Sequence, residues 1–473
     1  MPPSAEPPQR EPAAPHALLQ RRNVRLLLPI LIFIAGLTIR LYGLGVYPQR
    51  HACDDEFHYL WAGTSLLESG VPTSWSRLAG AQSAWIGRLD WEGMHYQLVR
   101  PALDHPPLFS ALTGIAGKLA GATPIVLRTV EGGSIKLWDA ELGRIRLLSI
   151  LLFCFTFWLL FDILRMSFGF AAANIGILCY GFIAHIVAHN RLLVADNLIV
   201  PLMLCGLWTT QRYLNRTMSE RRFAVIVIAA LTAAMLCKLV AACCAVALFA
   251  LLLFAGKRRE VFYPVAGVLL GIACNLVYAV VQGWGTFREV IQTHAQRYSG
   301  FDSLERLIRT QPLVGADDFN SLILLGWIAI FALALRRRPQ PIIAGFIAYL
   351  FGFVFFTPSN AIYGWYALPL YPFLCLGIAF AVTETWKRPC GIAAIAVLLL
   401  LLSRGFQILF LANPDAIHVL RMVFIAPAAA VVLSPLYPRY VGLKINRGLL
   451  TVSFAICLIG ELLTLIKLQA TAS

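Results

Sequence analysis

The chain has 473 residues, of which 59% are hydrophobic and 13% charged, with a formal net charge of +15. Soluble domains carry roughly twice that charged fraction, which excludes the two or three soluble domains that length alone would suggest. Nucleic-acid binding is excluded too, because the basic residues sit in short clusters between apolar runs rather than in one patch.

In chain order, residues 1–20 read as a disordered cytoplasmic tail, since Met1 to His16 is rich in Pro, Ala and Glu. The first apolar run, about Val24 to Val46, follows Arg21, Arg22 and Arg25, which hold its start in the cytoplasm. It is too long, and lacks the small-residue site, for a cleaved signal peptide. Residues 47–143 then form one large periplasmic loop carrying short juxtamembrane helices. Its one apolar stretch, Pro107 to Ala120, is too short to cross about 30 Å of hydrocarbon. Further spans are expected near 144–164, 169–187, 193–211, 223–238, 240–256, 261–281, 319–335, 341–357, 364–383, 390–411, 417–434 and 448–468. With the first, that makes about thirteen transmembrane helices in a single domain, 21–473, with a second large periplasmic loop at 282–318. The fold class is therefore an all-α polytopic membrane protein.

Orientation supports this division. With the N-terminus inside, the clusters at Arg165, Arg212 to Arg222, Lys257 to Arg259, Arg336 to Arg338, Lys387 to Arg388 and Arg439 to Arg447 all fall on one side. The opposite face gathers the polar, non-basic residues, and function is expected there. No internal repeat is visible, and deep ionisable residues are few: Lys238, Arg404 and Glu461. Both features argue against a transporter. Of 11 cysteines none forms a CxxC pair, so neither a zinc site nor a disulfide framework is indicated.

The chemistry concentrates at Asp54-Asp55-Glu56. Three adjacent carboxylates repel, so at least one should have a raised pKa and suit a general base or a cation. Asp55 and Glu56 open a short amphipathic helix, where acids favour the N-terminal dipole, and Gly70 closes it. His185 and His189 read as turn or packing residues, and Lys238 as a snorkelling side chain.

The string DEFHYLWAGTSLLESG resembles the first-loop signature of the polyprenyl-phosphate-sugar glycosyltransferases, the family of protein O-mannosyltransferases and lipid A aminoarabinose transferases. Asp55, Glu56, Tyr59, Leu66, Leu67 and Gly70 fill that pattern in register. A second signature is similar to His105-Pro106-Pro107-Leu108-Phe109 with Lys118 and Gly121, His105 standing where Lys is common. Arg146 resembles the Arg that opens the second membrane helix, Arg191 and Asp196 the Arg and Asp of a periplasmic turn, and Tyr366 and Pro369 a later Tyr and Pro motif. About twenty residues, Ala122 to Arg144, look inserted relative to shorter members.

The resemblance implies a GT-C fold and transfer of a sugar from a polyprenyl (undecaprenyl) phosphate carrier to a lipid, glycan or protein acceptor at the periplasmic face of a bacterial inner membrane. Asp55 is expected as general base, assisted or positioned by Glu56. Asp54 and Tyr59 would bind substrate, and Asp196 would orient the acceptor or lock Arg191. His105, with His294 or Arg297, would hold the phosphate, and Tyr366 would be a further donor. No cofactor is expected; Mg²⁺ or Mn²⁺ on the acidic triplet is conceivable, but the resemblance implies metal independence. The other readings are a transporter or flippase of lipid-linked sugars, and a polymerase or ligase using a diphosphate-linked carrier.

Overall fold

The chain is described by a computed structural model covering residues 15–77, 83–296, 300–308, 320–335, 341–357, 363–389, 394–403 and 439–472. Helix α1 spans Pro15–Leu41, so it begins inside the segment expected to be a disordered tail; residues 1–14 lie outside the described residues. The first loop follows. It holds α2 (Asp55–Ser69), β1 (Ser74–Trp75), β2 (Trp85–Trp91), β3 (Met94–Val99), α3 (Pro107–Leu119), β4 (Thr123–Arg128) and β5 (Ser134–Asp139). After it come α4 (Leu142–Ile145), α5 (Leu147–Phe168), α6 (Phe170–Phe182), α7 (Ala184–Arg191), α8 (Asp196–Leu214), α9 (Glu220–Met235), α10 (Ala242–Phe254), α11 (Phe262–Ala295) and α12 (Asp302–Ile308). Then follow α13 (Ser321–Ala334), α14 (Pro341–Phe356), a 3-10 segment (Gly364–Leu370), α15 (Tyr371–Lys387), α16 (Ala394–Ser403) and α17 (Arg439–Ala472).

The body is helical and spans a membrane more than once. Four described helical segments are long and apolar enough to cross: Leu142–Phe168, Phe262–Ala295, Gly364–Lys387 and Gly442–Thr471. A fifth results if α6 and α7, bent by 61°, form one broken span. Others of the thirteen expected spans are shorter apolar helices, such as α10, α13 and α14, and the one expected at 417–434 lies outside the described residues.

The first loop differs from the expectation of helices alone. Three strands form an antiparallel sheet in the order β1-β3-β2, with Leu89 opposite Tyr96 and Trp91 opposite Met94 across the turn Glu92–Gly93. A separate hairpin pairs β4 with β5, Thr123 opposite Asp139 and Arg128 opposite Ser134, within the apparent insertion. Alternating apolar residues flank a short Gly-containing turn in both cases, which is the pattern of strands rather than helices.

The loop packs on both sides of α2. Asp55 and Glu56 sit at its positive N-terminal end, and Gly70, with φ 74°, closes it through an N–H donated to the Leu66 carbonyl. On one side Phe57 and Trp61 pack against Trp91 at ring distances of 5.1 and 5.4 Å, and the Trp61 indole donates to the Trp138 carbonyl at 2.8 Å. On the other side α3 crosses at Gly63 and Gly114. A Cβ on Gly63 would lie 1.8 Å from the Ser110 carbonyl oxygen, and one on Gly114 would lie 2.4 Å from the Gly63 carbonyl carbon. Two backbones this close exclude any side chain at the crossing, and they hold the acidic start of α2 near His105.

Three buried arginines tie α1, the first loop and the following helices together. Arg146 forks onto Glu56 at 2.8 and 2.7 Å and also donates to the Leu44 and Pro48 carbonyls. Arg40 donates to the carbonyls of Tyr180 and Gly181 at the end of α6 and to Asn190 Oδ1. Arg191 donates to the carbonyls of Ile39, in the last turn of α1, and of Tyr42 and Tyr47 just past it. Helix ends leave carbonyls without internal partners, and a guanidinium supplies several donors to them at once.

Near the far end of α5, Asp162 accepts from Arg165, Arg212 and the Trp208 indole. At about 1.5 Å per residue, Asp162 lies roughly 24 Å along the helix from Arg146. The acidic start of α2 and this basic-rich end therefore occupy opposite ends of the helical body.

Candidate active site

A cavity of about 700 Å³ opens between the first loop and the helices. Asp54, Asp55, Arg77 and His105 line it from the loop; His189, Lys238, Tyr278, His294 and Tyr366 line it from the helical body. The wall formed by Phe287, Val290, Ile291 and His294 depends on α11 turning at Gly283. That glycine has φ 153° and ψ 89°, a conformation L side chains rarely adopt. Gln282 anchors the bend by donating to the Gly70 carbonyl at 2.8 Å. The expected loop at 282–318 is thus helical through Ala295.

The three adjacent acids meet different fates. Asp54 accepts from Arg77 at 2.7 Å and from the Tyr96 hydroxyl at 3.3 Å. Glu56 is fully buried on Arg146 and also accepts the Leu193 N–H at 2.9 Å. Both its oxygens are engaged away from the cavity, so of the two roles expected for Glu56, assisting or positioning the base, this geometry is that of positioning. The Asp55 carboxylate has no hydrogen-bonding or ion-pair partner among the described residues, and Asp55 lines the cavity. Burial pushes its carboxyl up to about 6; Lys238 opposes that rise, and Asp196 and Asp54 add to it.

Arg191 and Asp196 do not pair, contrary to their spacing. Arg191 is buried on carbonyls at and just past the end of α1, while Asp196 accepts from Lys238 Nζ at 2.9 Å. The Lys238 ammonium also lies 3.7 Å from the centroid of the Tyr366 ring. Lys238 is therefore not a snorkelling residue: its side chain is 10% exposed, and it faces the cavity at the break between α9 and α10. A lone ionisable residue interrupting an apolar run was the signal for it.

His105 lines the cavity with its ring 4.9 Å from His58 and 5.0 Å from Tyr59. Tyr59 itself is buried behind the wall, 4.8 Å from Phe109, so it supports His105 rather than lining the cavity. His294 does line the cavity, whereas Arg297 lies outside the described residues. Arg77 and His189 are wall residues that sequence reasoning missed as site residues. Nothing local marks Arg77, and His189 reaches the cavity because α7 turns away from α6. Among the described residues no group of three or more His, Cys, Asp and Glu is placed to hold a metal ion.

The arrangement sets a carboxylate without a partner among the described residues, its pKa raised to about 6, beside a cation and further donors. Such a set can take a proton from a nucleophile while cationic groups receive a leaving anion.

Residues 122–284 match the family model of dolichyl-phosphate-mannose-protein mannosyltransferase. The structure of ArnT from Cupriavidus metallidurans in the apo state superposes with a TM-score of 0.56 at 18% identity, covering 94% of this chain and 76% of that one. The same protein bound to undecaprenyl phosphate gives 0.54 at 17% identity, covering 92% and 77%. No curated protein sequence matches the chain. The fold is the GT-C fold of membrane glycosyltransferases, as the resemblance implied, and the family match points in the same direction.

Proposed function

We propose that the chain transfers a sugar from a polyprenyl phosphate carrier to a lipid, glycan or protein acceptor at the periplasmic face of a bacterial inner membrane. The observation that carries this reading is Asp55, a carboxylate without a partner among the described residues and facing Lys238 in a cavity between loop and helices. The shared fold with a protein that binds undecaprenyl phosphate supports the donor class.

In this reading the acceptor's hydroxyl or amine gives its proton to Asp55 as it attacks the anomeric carbon. The bond from that carbon to the phosphate oxygen breaks, and the carrier leaves as the phosphate anion. Lys238, held by Asp196, and Arg77, held by Asp54, bring cationic donors to that oxygen, with His105 and Tyr366 beside them. The basic clusters at the other end of the helices support a cytoplasmic location for that end.

The test compares lipid-linked sugars and envelope glycans, by mass spectrometry, in cells carrying the wild-type gene, Asp55→Asn or no gene. Asp55→Asn should reproduce the deletion, with accumulated carrier-linked sugar and the same missing decoration, while the protein remains in the membrane. General-base removal costs on the order of 10²–10⁴ in rate. Wild-type decoration by the variant removes Asp55 from the base role. An unchanged glycan and lipid profile in the deletion, with carrier translocation by wild type in proteoliposomes, replaces the transferase by a flippase.

A further inference from the structure

Glu461 is the only acid of α17, and it is fully buried in a helix long and apolar enough to cross a membrane. Ionisable side chains in such helices are costly to place and mark function by default. Its two oxygens reach two different helix starts. Oε2 accepts the Ala184 N–H, the first of α7, at 2.8 Å, and Oε1 accepts from Asn320 Nδ2 at 2.8 Å. Asn320 in turn caps α13, its Oδ1 accepting the Leu322 and Ile323 N–H groups at 3.0 and 3.3 Å. Helix starts are positive and carry N–H groups without internal partners, so a carboxylate shared between two of them is favoured twice.

The start of α7 depends on this contact. The helix opens after a bend of 61° across Ile183, whose apolar side chain makes no capping hydrogen bond. α17 also grips the other end of α7. Gln469 donates to the Tyr42 carbonyl at 2.8 Å, and Arg191, the last residue of α7, donates to that same oxygen at 2.7 Å. Leu465 packs with Ala184, Val187 and Ala188 between the two ties. Ala184 to Arg191 covers about 10 Å of helix and Glu461 to Gln469 about 12 Å, so the ties sit at matching heights.

We propose that Glu461 is a positioning residue of the transfer site: by fixing the start of α7 it sets where the α7–α8 turn presents the Asp196–Lys238 pair. The inference rests on the transferase reading and adds to it a residue from the last helix.

The path from Glu461 to the site is a chain of hydrogen bonds. α7 carries His189 into the cavity lining. Asn197, in the first turn of α8, donates to the His189 and Leu192 carbonyls at 3.1 and 2.7 Å, which ties α7, the turn and α8 into one piece. That piece holds Lys238 through Asp196, and it meets the start of α2 where the Leu193 N–H reaches Glu56. A displacement of α7 is therefore passed to the groups on both sides of Asp55.

The experiment uses the full chain in lipid nanodiscs. The donor is the carrier-linked sugar fraction that accumulates in deletion cells, and the acceptor is the envelope of those cells. Glu461→Gln keeps the size of the side chain but turns an N–H group toward Ala184 or Asn320, both of which already donate. The rate at saturating donor should fall roughly 10- to 100-fold. In an Asp196→Asn background the same change should cost less than about 3-fold more, because the two act through one contact. The acid limb of the pH–rate profile should also move. Asp55 is faced by Lys238, Asp196, Arg77 and Asp54, and among these Lys238 does most to lower its proton affinity. A turn that draws Lys238 away moves that limb to higher pH. Asn446→Leu is the control: it removes a buried hydrogen bond to the Pro389 carbonyl on the same helix, about 22 Å from Glu461. It should lower the unfolding midpoint and leave the rate per folded molecule within about 2-fold.

A Glu461→Gln protein that loses stability as the control does, with wild-type rate and pH profile, would overturn the proposal and leave the carboxylate a brace. Rate losses that add fully to those of Asp196→Asn would overturn it as well. Should Glu461→Gln fail to fold, Asn320→Ser carries the same cycle, since it keeps a hydroxyl cap on α13 and removes one donor from Glu461; a wild-type rate there overturns the proposal. If the wild type transfers no sugar from the accumulated fraction, the transferase reading itself fails, an outcome separate from the others.

Discussion

Asp55→Asn should make the protein more stable at neutral pH while it removes activity. Burial raises the Asp55 carboxyl from an ordinary value of 3.8 to about 6. Between those values the folded protein holds a proton that the unfolded chain has released. Stability therefore falls as pH rises through the window from about 4 to 6, and the full penalty is present above it. At roughly 1.4 kcal/mol per pKa unit, the penalty at pH 7 is at most about 3 kcal/mol. Asparagine has nearly the same shape, carries no charge and breaks no hydrogen bond to a described residue. The expected gain at pH 7 is about 1 to 3 kcal/mol, shrinking toward zero near pH 4, where wild type is itself protonated. Thermal unfolding of both proteins in the same detergent, at one scan rate and several pH values, reads it out. A rise of roughly 1–5 °C at pH 7 is expected. In the wild type, transfer should drop about tenfold per pH unit below 6, because the base must be ionised. A variant less stable than wild type at pH 7, or a difference that does not change with pH, would refute the claim that Asp55 is an unpaired, desolvated carboxylate.

Two further predictions concern the frame that holds this carboxylate. Glu56→Gln leaves a buried guanidinium facing an uncharged amide and should cost about 3–5 kcal/mol. The pair Glu56→Leu with Arg146→Met should cost less than the sum of the single changes in a double-mutant cycle, with a residue remaining from the lost Leu44 and Pro48 contacts. Gly63→Ala should cost about 3 kcal/mol or more, since its methyl would meet the Ser110 carbonyl at 1.8 Å. Gly285→Ala, where nothing lies within 4 Å, should instead stabilise the helix by about 0.5–1 kcal/mol; equal effects at the two positions would contradict the close crossing of α2 and α3.

The sequence made legible whatever depends on local pattern. Apolar runs marked the membrane helices, and Asp55 with Gly70 marked both ends of α2. The strands were legible too, because Leu89, Trp91, Tyr96 and Leu98 alternate about a turn, but the length of the loop drew attention to its helices. Pairings across the chain were not legible. Arg191 and Asp196 are five residues apart and look like partners, yet the bend before α7 turns Arg191 toward α1, while Asp196 meets a lysine 42 positions later. Glu56 and Arg146 are 90 positions apart, and nothing in either motif says that they consume each other's charge.

The acidic triplet shows why a motif can need three carboxylates when one reacts. Successive residues at a helix start point about 100° apart, so the three acids face different surroundings even though they adjoin in sequence. Asp54 meets Arg77 and Tyr96 on the loop, and Glu56 meets Arg146 at the root of α5. Each tethers the start of α2 to a different part of the molecule, so the residue between them is held in place from both sides. Asp55 then needs no hydrogen bond of its own for orientation, and every lone pair stays available to substrate. A carboxylate that oriented itself by pairing with Arg77 or Arg146 would have its proton affinity lowered by that same contact. Tethering through its neighbours separates placement from basicity, and so a single turn of helix can present a fixed carboxylate that still takes up protons near pH 6.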